Sequence, residues 1–332
     1  MAGIDLSSVY TIVDIAKTHD NKVQLQISTN LHRKNGVLRF TGWEQANQLT
    51  SHIYSKEVGL PDAAERAIGE GSVGSKGQVG QGTEALSYIE SRSEQDIILE
   101  RIKGPAFAEY RYAMDMIHSE GLGQGMASRI FYGAGTPGKL RGLNVRYGTL
   151  AQTVSVKNAG GAVSSANTSL WVIQPGFAKF NLLYGEAAQP AKPVGEWSGG
   201  FIRMQDMGLE WCITVAATGA GLHKYITLFD IFMGMVPYDD RAVQRLCNIN
   251  TTTGAGEVDP DMVIWMIESL PDPEGERYIF CNRQAKYQLK KNTVNKALLG
   301  MSPDKYGEMR DNFYNTSIVL TEALTNVEAV VS

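Results

Sequence analysis

The chain has 332 residues, 43% hydrophobic and 20% charged, which is the composition of a globular protein with a substantial core, in one fold with sub-modules or in two domains. Its net charge of −4 argues against a general nucleic-acid binder, which needs a basic surface. The three cysteines, Cys212, Cys247 and Cys281, lie far apart with no CxxC, so no cysteine zinc site is expected and reduced thiols in a cytosolic setting are.

Met1–Asp20 lacks a basic start followed by an apolar run, so no signal peptide is expected. The most apolar stretch, Tyr225–Val236, is short and contains Asp230, which falls short of a membrane span. Ser7–Ala16 reads as a short amphipathic helix with Val9, Ile12, Val13 and Ala16 on one side. Asp20–Phe40 alternates only weakly, so residues 1–48 together read as an arm that gains stability from neighbours.

Next come two strand-like arms, His52–Val58 and Gln78–Glu90, alternating and rich in β-branched or aromatic residues. Between them Gly59–Gly77 carries Gly69, Gly71, Gly74 and Gly77 with no periodic apolar face. A loop of that length without a core pattern is usually functional or completed by a partner. Ser91–Lys103 reads as a charged helix with Ser93 and Asp96 at capping-box spacing. A longer helix opens at Pro105. Phe107, Tyr110, Met114 and Ile117 form one stripe, resumed by Leu122, Met126 and Ile130, which carries the helix to about Phe131. Arg111 and Asp115 stand i, i+4 on another face. Gly121, Gly123 and Gly125 each cost about 1 kcal/mol against alanine, so packing must hold its middle.

From Leu143 the texture turns to strands at Ser169–Ile173, Ala178–Tyr184, Leu209–Ala216 and Lys224–Phe232, with a Pro/Gly-rich loop at Gly185–Gly200. Asp259–Leu270 reads as a helix with an Asp cap, Pro260 at N1, and Pro271 as the stop. Tyr278–Cys281 is a short strand feeding a helix from Asn282 to about Leu298, and Ile318–Ala323 and Val327–Val331 close the chain as strands. Without regular βαβ alternation, the class is α+β.

No catalytic, cofactor-binding or metal-ligating set emerges. Gly133–Leu140 is one residue from a phosphate-cradling loop, but Leu140 stands where Ser or Thr must hold magnesium and no helix follows; a tight turn ending the long helix fits better. Gly69–Gly74 matches GxGxxG by letters alone, without the flanking strand and helix. His19, His32, His52, His118 and His223 share no metal or catalytic spacing, and HExxH, HxH and GxSxG are absent. Asp239–Asp240 suits a helix N-terminus. Asn282–Lys296 carries Arg283, Lys286, Lys290, Lys291 and Lys296 without an acid, as a solvated face or as a contact for packed DNA or an acidic neighbour.

Blocks spread over nearly the whole chain, in a common order, resemble the major capsid proteins of short-tailed double-stranded DNA phages, within the wider Hong Kong 97-type capsid fold. The blocks are Thr11–Lys17, Val58–Pro61, Gly74–Lys76, Gly82–Ala85, Phe131–Gly133, Gly142–Leu143, Asn167–Trp171, Leu183–Gly185, Tyr278–Arg283 and Thr321–Ala323. The resemblance implies an α+β Hong Kong 97-type fold with an N-terminal arm (1–48), an extended β-hairpin loop (49–92), and a peripheral domain (93–200) holding a spine helix at about 105–131. An axial domain would occupy roughly 201–300, and 301–332 would return to the peripheral domain. It also implies pentamers and hexamers closing into an icosahedral shell around a double-stranded DNA genome, assembled in the host cytoplasm. DNA would be enclosed without sequence-specific binding, with no cofactor, no enzyme activity and no membrane.

Separate scaffolding, portal and cement proteins are the expected partners. Assembly contacts are expected around Pro61, Gly71, Gly74, Lys76 and Glu84. Some relatives crosslink a loop lysine to a neighbour's asparagine; Lys76 has no evident acceptor or assisting acid, so that chemistry is not carried over. The alternatives are an encapsulin-like nanocompartment shell and, more remotely, a nucleotide-binding enzyme using Gly133–Lys139.

Overall fold

The computed structural model describes residues 35–71, 74–162, 166–185, 203–215, 220–252, 254–272, 274–304 and 307–332. The expected helix Ser7–Ala16, nearly all of the arm before residue 35, and most of the Gly185–Gly200 loop lie outside these residues.

The long strand β9 (Ala220–Pro237) organises the first sheet. One of its edges pairs with β4 (Ser87–Asp96), from Ser87 opposite Met233 to Asp96 opposite Lys224. Its other edge takes β8 (Arg203–Val215) and then β7 (Phe180–Tyr184). β1 (Gly42–Gln45) adds in parallel to β7. The expected helix Ser91–Lys103 is therefore half strand. Alternate residues Ser87, Ile89, Ser93 and Gln95 turn inward, and ten backbone pairings outweigh the charged, helix-like spacing of the outward ones. The helix begins only at Ile97, where the Asp96 carboxylate accepts from the Ile98 N–H. The expected arm Gln78–Glu90 also divides, at Leu86, between β3 (Gln78–Ala85) and β4.

The spine helix, Phe107–Tyr132, follows a 3-10 turn at Gly104–Ala106 that carries Pro105. Its 26 residues span ~39 Å, and it packs against β4 and β9. Phe107, Tyr110 and Met114 bury with Leu99 in a small cluster backed by Tyr225 and Ile117. Leu122, Met126, Ile130 and Phe131 enter the main core. Arg111 and Asp115, the expected i, i+4 pair, lie 4.0 Å apart. Both reach the Thr227 hydroxyl on β9, and Arg111 also pairs with Asp206 on β8. The pair thus anchors the helix to the sheet beneath it.

The second sheet has seven strands in the order β12 (Leu299–Pro303), β13 (Met309–Phe313), β14 (Thr316–Leu320), β11 (Tyr278–Cys281), β6 (Asn167–Ile173), β10 (Val243–Asn250), β5 (Val156–Asn158). Central β6 is buried at every residue. Trp171 and Ile173 face the core shared with the spine helix and β9, while Leu170 and Val172 face the helices Pro260–Glu268 and Arg283–Asn292. Burial of both faces explains the apolar run Leu170–Ile173 in its second half.

Sheet pairing divides the chain differently from boundaries at residues 200 and 300. β8 and β9 belong to the first sheet with β1, β4 and β7, whereas β10 to β14 share the second with β5 and β6. Val327–Val331 is not a strand: among the described residues its pairing is an isolated bridge between Glu328 and Asn167, and the Asn248 side chain, not a strand, takes the Val331 backbone N–H and carbonyl. The helix from Asn282, whose side chain accepts from Ala285 N–H, ends at Asn292, and a separate 3-10 turn covers Lys296–Leu298.

Two sulfur sites follow from this packing. Burial pushes the Cys281 thiol up to about 12, and raises that of Cys247. Iodoacetamide at pH 8 should therefore alkylate the half-buried Cys212 in the folded chain and leave Cys247 and Cys281 unmodified, as read by peptide mass spectrometry. Labelling of Cys281 at the rate of Cys212 would contradict this packing.

Candidate assembly surface

β2 (Ser51–Gly59) and β3 pair only with each other, from Ser51 opposite Ala85 to Gly59 opposite Gln78. Among the described residues, neither outer edge of this hairpin pairs with another strand. Unpaired edges are templates for strand addition.

Its root is fixed to the body. The His52 ring is buried, its Nδ1 accepting from the Asn47 N–H at 3.3 Å and its Nε2 lying 3.1 Å from the Tyr238 hydroxyl. That hydroxyl donates to Glu44 at 3.0 Å, and the Tyr54 ring meets Tyr238 edge-on at 5.4 Å. Gly82 lies under Tyr54, where an added Cβ would come within 2.5 Å of the ring. Two ion pairs complete the anchor, Lys56 with Asp240 and Arg146 with Glu84.

Its tip is the reverse. Residues 60–71 and 74–76 are all exposed, including the apolar Leu60 and Ile68. The tip's hydrogen bonds are internal: the Glu70 carboxylate accepts from the Ala67 N–H, and the Ser75 hydroxyl donates to the Asp62 carbonyl. Gly69 turns the chain at φ +94°, in the left-handed region that glycine permits. So Pro61, Gly71, Gly74 and Lys76 lie together on the projecting tip, whereas Glu84 sits at the root and pairs within its own chain.

The other candidates resolve into local structure. Gly133 ends the spine helix, Ala134 bridges Arg141, and Leu140 is buried, so Gly133–Leu140 is a closed turn. Asp239 accepts from Arg241 N–H at the start of a 3-10 turn. His118 contacts the Ser91 hydroxyl at 3.2 Å, and burial lowers its pKa. No group of metal-ligating side chains occurs among the described residues.

The basic helix finds its acids within the subunit: Lys286 and Lys290 converge on Asp311, Lys291 meets Glu257, and Arg283 meets Glu322. Burial pushes the Asp311 carboxyl upward, but hydrogen bonds from Lys286 and Lys290 outweigh it and hold the group below the usual carboxylate range. With the folded-state pKa below the unfolded one, this stabilisation is present above pH ~4 and fades as pH falls through the folded value. Asp311→Asn should lower the urea midpoint at pH 7 and lower it less at pH 3; an equal loss at both would contradict a charge-based link.

One surface escaped sequence reading. On β8, Leu209, Trp211 and Ile213 alternate with polar residues yet are all exposed. Their alternation marks a strand, but which of its faces stays uncovered depends on where the spine helix ends.

Family comparison agrees with this architecture. A family model described as "Major capsid protein GP7" matches residues 19–332. The structure resembles that of bacteriophage Epsilon15 with a TM-score of 0.68 and 19% identity, covering 100% of both chains. It also resembles the bacteriophage JBD30 capsid, with a TM-score of 0.50 and 9% identity over 93% of this chain and 97% of that one. No curated protein matches by sequence. With an α+β architecture shared with phage capsids and a family match over nearly its whole length, the chain belongs to the major capsid protein GP7 family.

Proposed function

We propose that the projecting hairpin is the element through which copies of this capsid subunit join into pentamers and hexamers, and that these close around double-stranded DNA. The observation that carries this reading is the contrast within one hairpin, a root locked by ion pairs and aromatic packing and a tip whose described residues are all exposed. A segment that cannot bury itself is stabilised when a neighbour completes its backbone hydrogen bonds. Closed symmetric assembly also needs distinct surfaces that meet repeatedly. A container needs no tight grip on its contents, and the net charge of −4 and internally paired basic helix support enclosure of DNA without sequence-specific binding. Separate scaffolding and portal proteins, and a cement protein, fit this role.

Negative-stain electron microscopy on the recombinant chain, alone and with a small product of a neighbouring gene, tests the reading. Rings or closed polyhedral particles are expected. A well-behaved monomer or dimer under both conditions would overturn it, as would ATP binding that is lost in Lys139→Ala.

A further inference from the structure

A cavity of about 550 Å3 lies at the root of the hairpin, where β2 meets the body. Its charged lining is Lys56, Arg141, Arg146 and Arg241 against Asp239 and Asp240. Lys56 and Arg241 are matched by these two acids, and Arg146 by Glu84 behind it. Arg141 is exposed and has no acidic partner among the described residues. Two buried donors in the wall, Arg146 Nε and the Tyr147 hydroxyl, have no hydrogen-bond partner among the described residues. The site is therefore a concave surface with donors and positive charge in excess.

The hairpin tip carries the complementary chemistry. From Leu60 to Gly71 it has three acids, Asp62, Glu65 and Glu70, against the single base Arg66. Asp62 and Glu65 are exposed and have no cationic partner among the described residues. They stand six and nine residues beyond Lys56 on an outward arm, ~20–30 Å away along an extended chain. An exposed tip carried that far outward does not fill the cavity at its own root.

We propose that this cavity receives the acidic arm Asp62–Glu65 from the hairpin of a second copy. The contact joins two different surfaces, tip to root, and so is head-to-tail. Contacts of that kind generate rings when the rotation between copies closes, as capsomers require. It deepens the reading of the hairpin as the assembly element and rests on that reading. Because the facing charges are mostly exposed, the contact is expected to weaken as salt rises.

Charge reversal tests it on the full chain, with closed particles counted by electron microscopy and sedimentation velocity. R141E with R241E should reduce the assembled fraction at least tenfold while leaving the thermal midpoint of the subunit near wild type. D62K with E65K, at two exposed positions, should do the same. All four changes in one chain restore complementarity and should return assembly to near the wild-type level. Normal assembly of either double variant, or no recovery in the fourfold variant, would overturn tip-to-root docking while leaving the assembly reading intact. Wild-type chain that never forms rings or shells would overturn both.

Discussion

Deleting Glu65–Lys76 should leave subunits that fold normally and abolish closed particles. Folding is spared because every described residue of that stretch is exposed and its hydrogen bonds are internal to the tip. Surface changes of that kind usually alter stability by no more than ~0.5 kcal/mol. Shortening the loop between two fixed arms also changes its closure entropy only slightly. Assembly should instead fall by tenfold or more, since the deletion removes Glu65 and most of the surface that can reach a neighbour. Circular dichroism melting and sedimentation velocity, run together on the deleted chain, separate the two effects. Normal shells would contradict the role given to the hairpin, and an unfolded subunit would contradict the independence of its tip.

Arg245→Ala should cost about 3–5 kcal/mol, a large share of the 5–15 kcal/mol that holds a typical domain together. Arg245 is fully buried on β10 and pairs with the buried Glu328 at 3.1 Å. It donates to the Tyr147 carbonyl at 2.7 Å and to the Ser169 hydroxyl at 3.1 Å, and its guanidinium lies 5.0 Å from the Trp171 ring centre. Glu328 in turn accepts from the hydroxyls of Tyr132, at the end of the spine helix, and Ser169. One arginine thus ties together two strands of the second sheet, the segment around Tyr147, the end of the spine helix and the residues around Glu328. Its removal strands a buried carboxylate. Urea unfolding measures the loss, and a cost below ~1 kcal/mol would contradict the hub. Arg245→Met combined with Glu328→Leu removes both charges and should recover part of the loss.

Elements whose signals are local were legible in the sequence. The spine helix was, because its stripe from Phe107 to Ile130 repeats at helical spacing and Pro105 marks its start. The helix Pro260–Glu268 was too, since Asp259 caps it and Pro260 opens it. The hairpin stood out by contrast, as two alternating arms around a glycine-rich stretch without a core face.

What depends on distant partners was hidden. Ser93 and Asp96 at capping-box spacing within the charged Ser91–Lys103 suggested a helix, while the inward Ser93 and Gln95 continue the strand. Nothing near Arg245 in sequence points to Glu328, and the acids that neutralise the basic helix come from Glu257, Asp311 and Glu322 on separate elements. The cavity at the hairpin root is likewise assembled from four separated segments. Glu84 lies in the arm Gln78–Glu90 by sequence, and only the antiparallel pairing shows that β3 carries it back to Arg146 at the root.

Hydrogen–deuterium exchange on free subunits and on closed particles tests the central claim most directly. If neighbours complete the hairpin, amides of residues 51–59 and 78–85 that face its open edges should exchange at least tenfold more slowly in particles. Equal exchange of those amides in the two states would show that the hairpin is not where copies join.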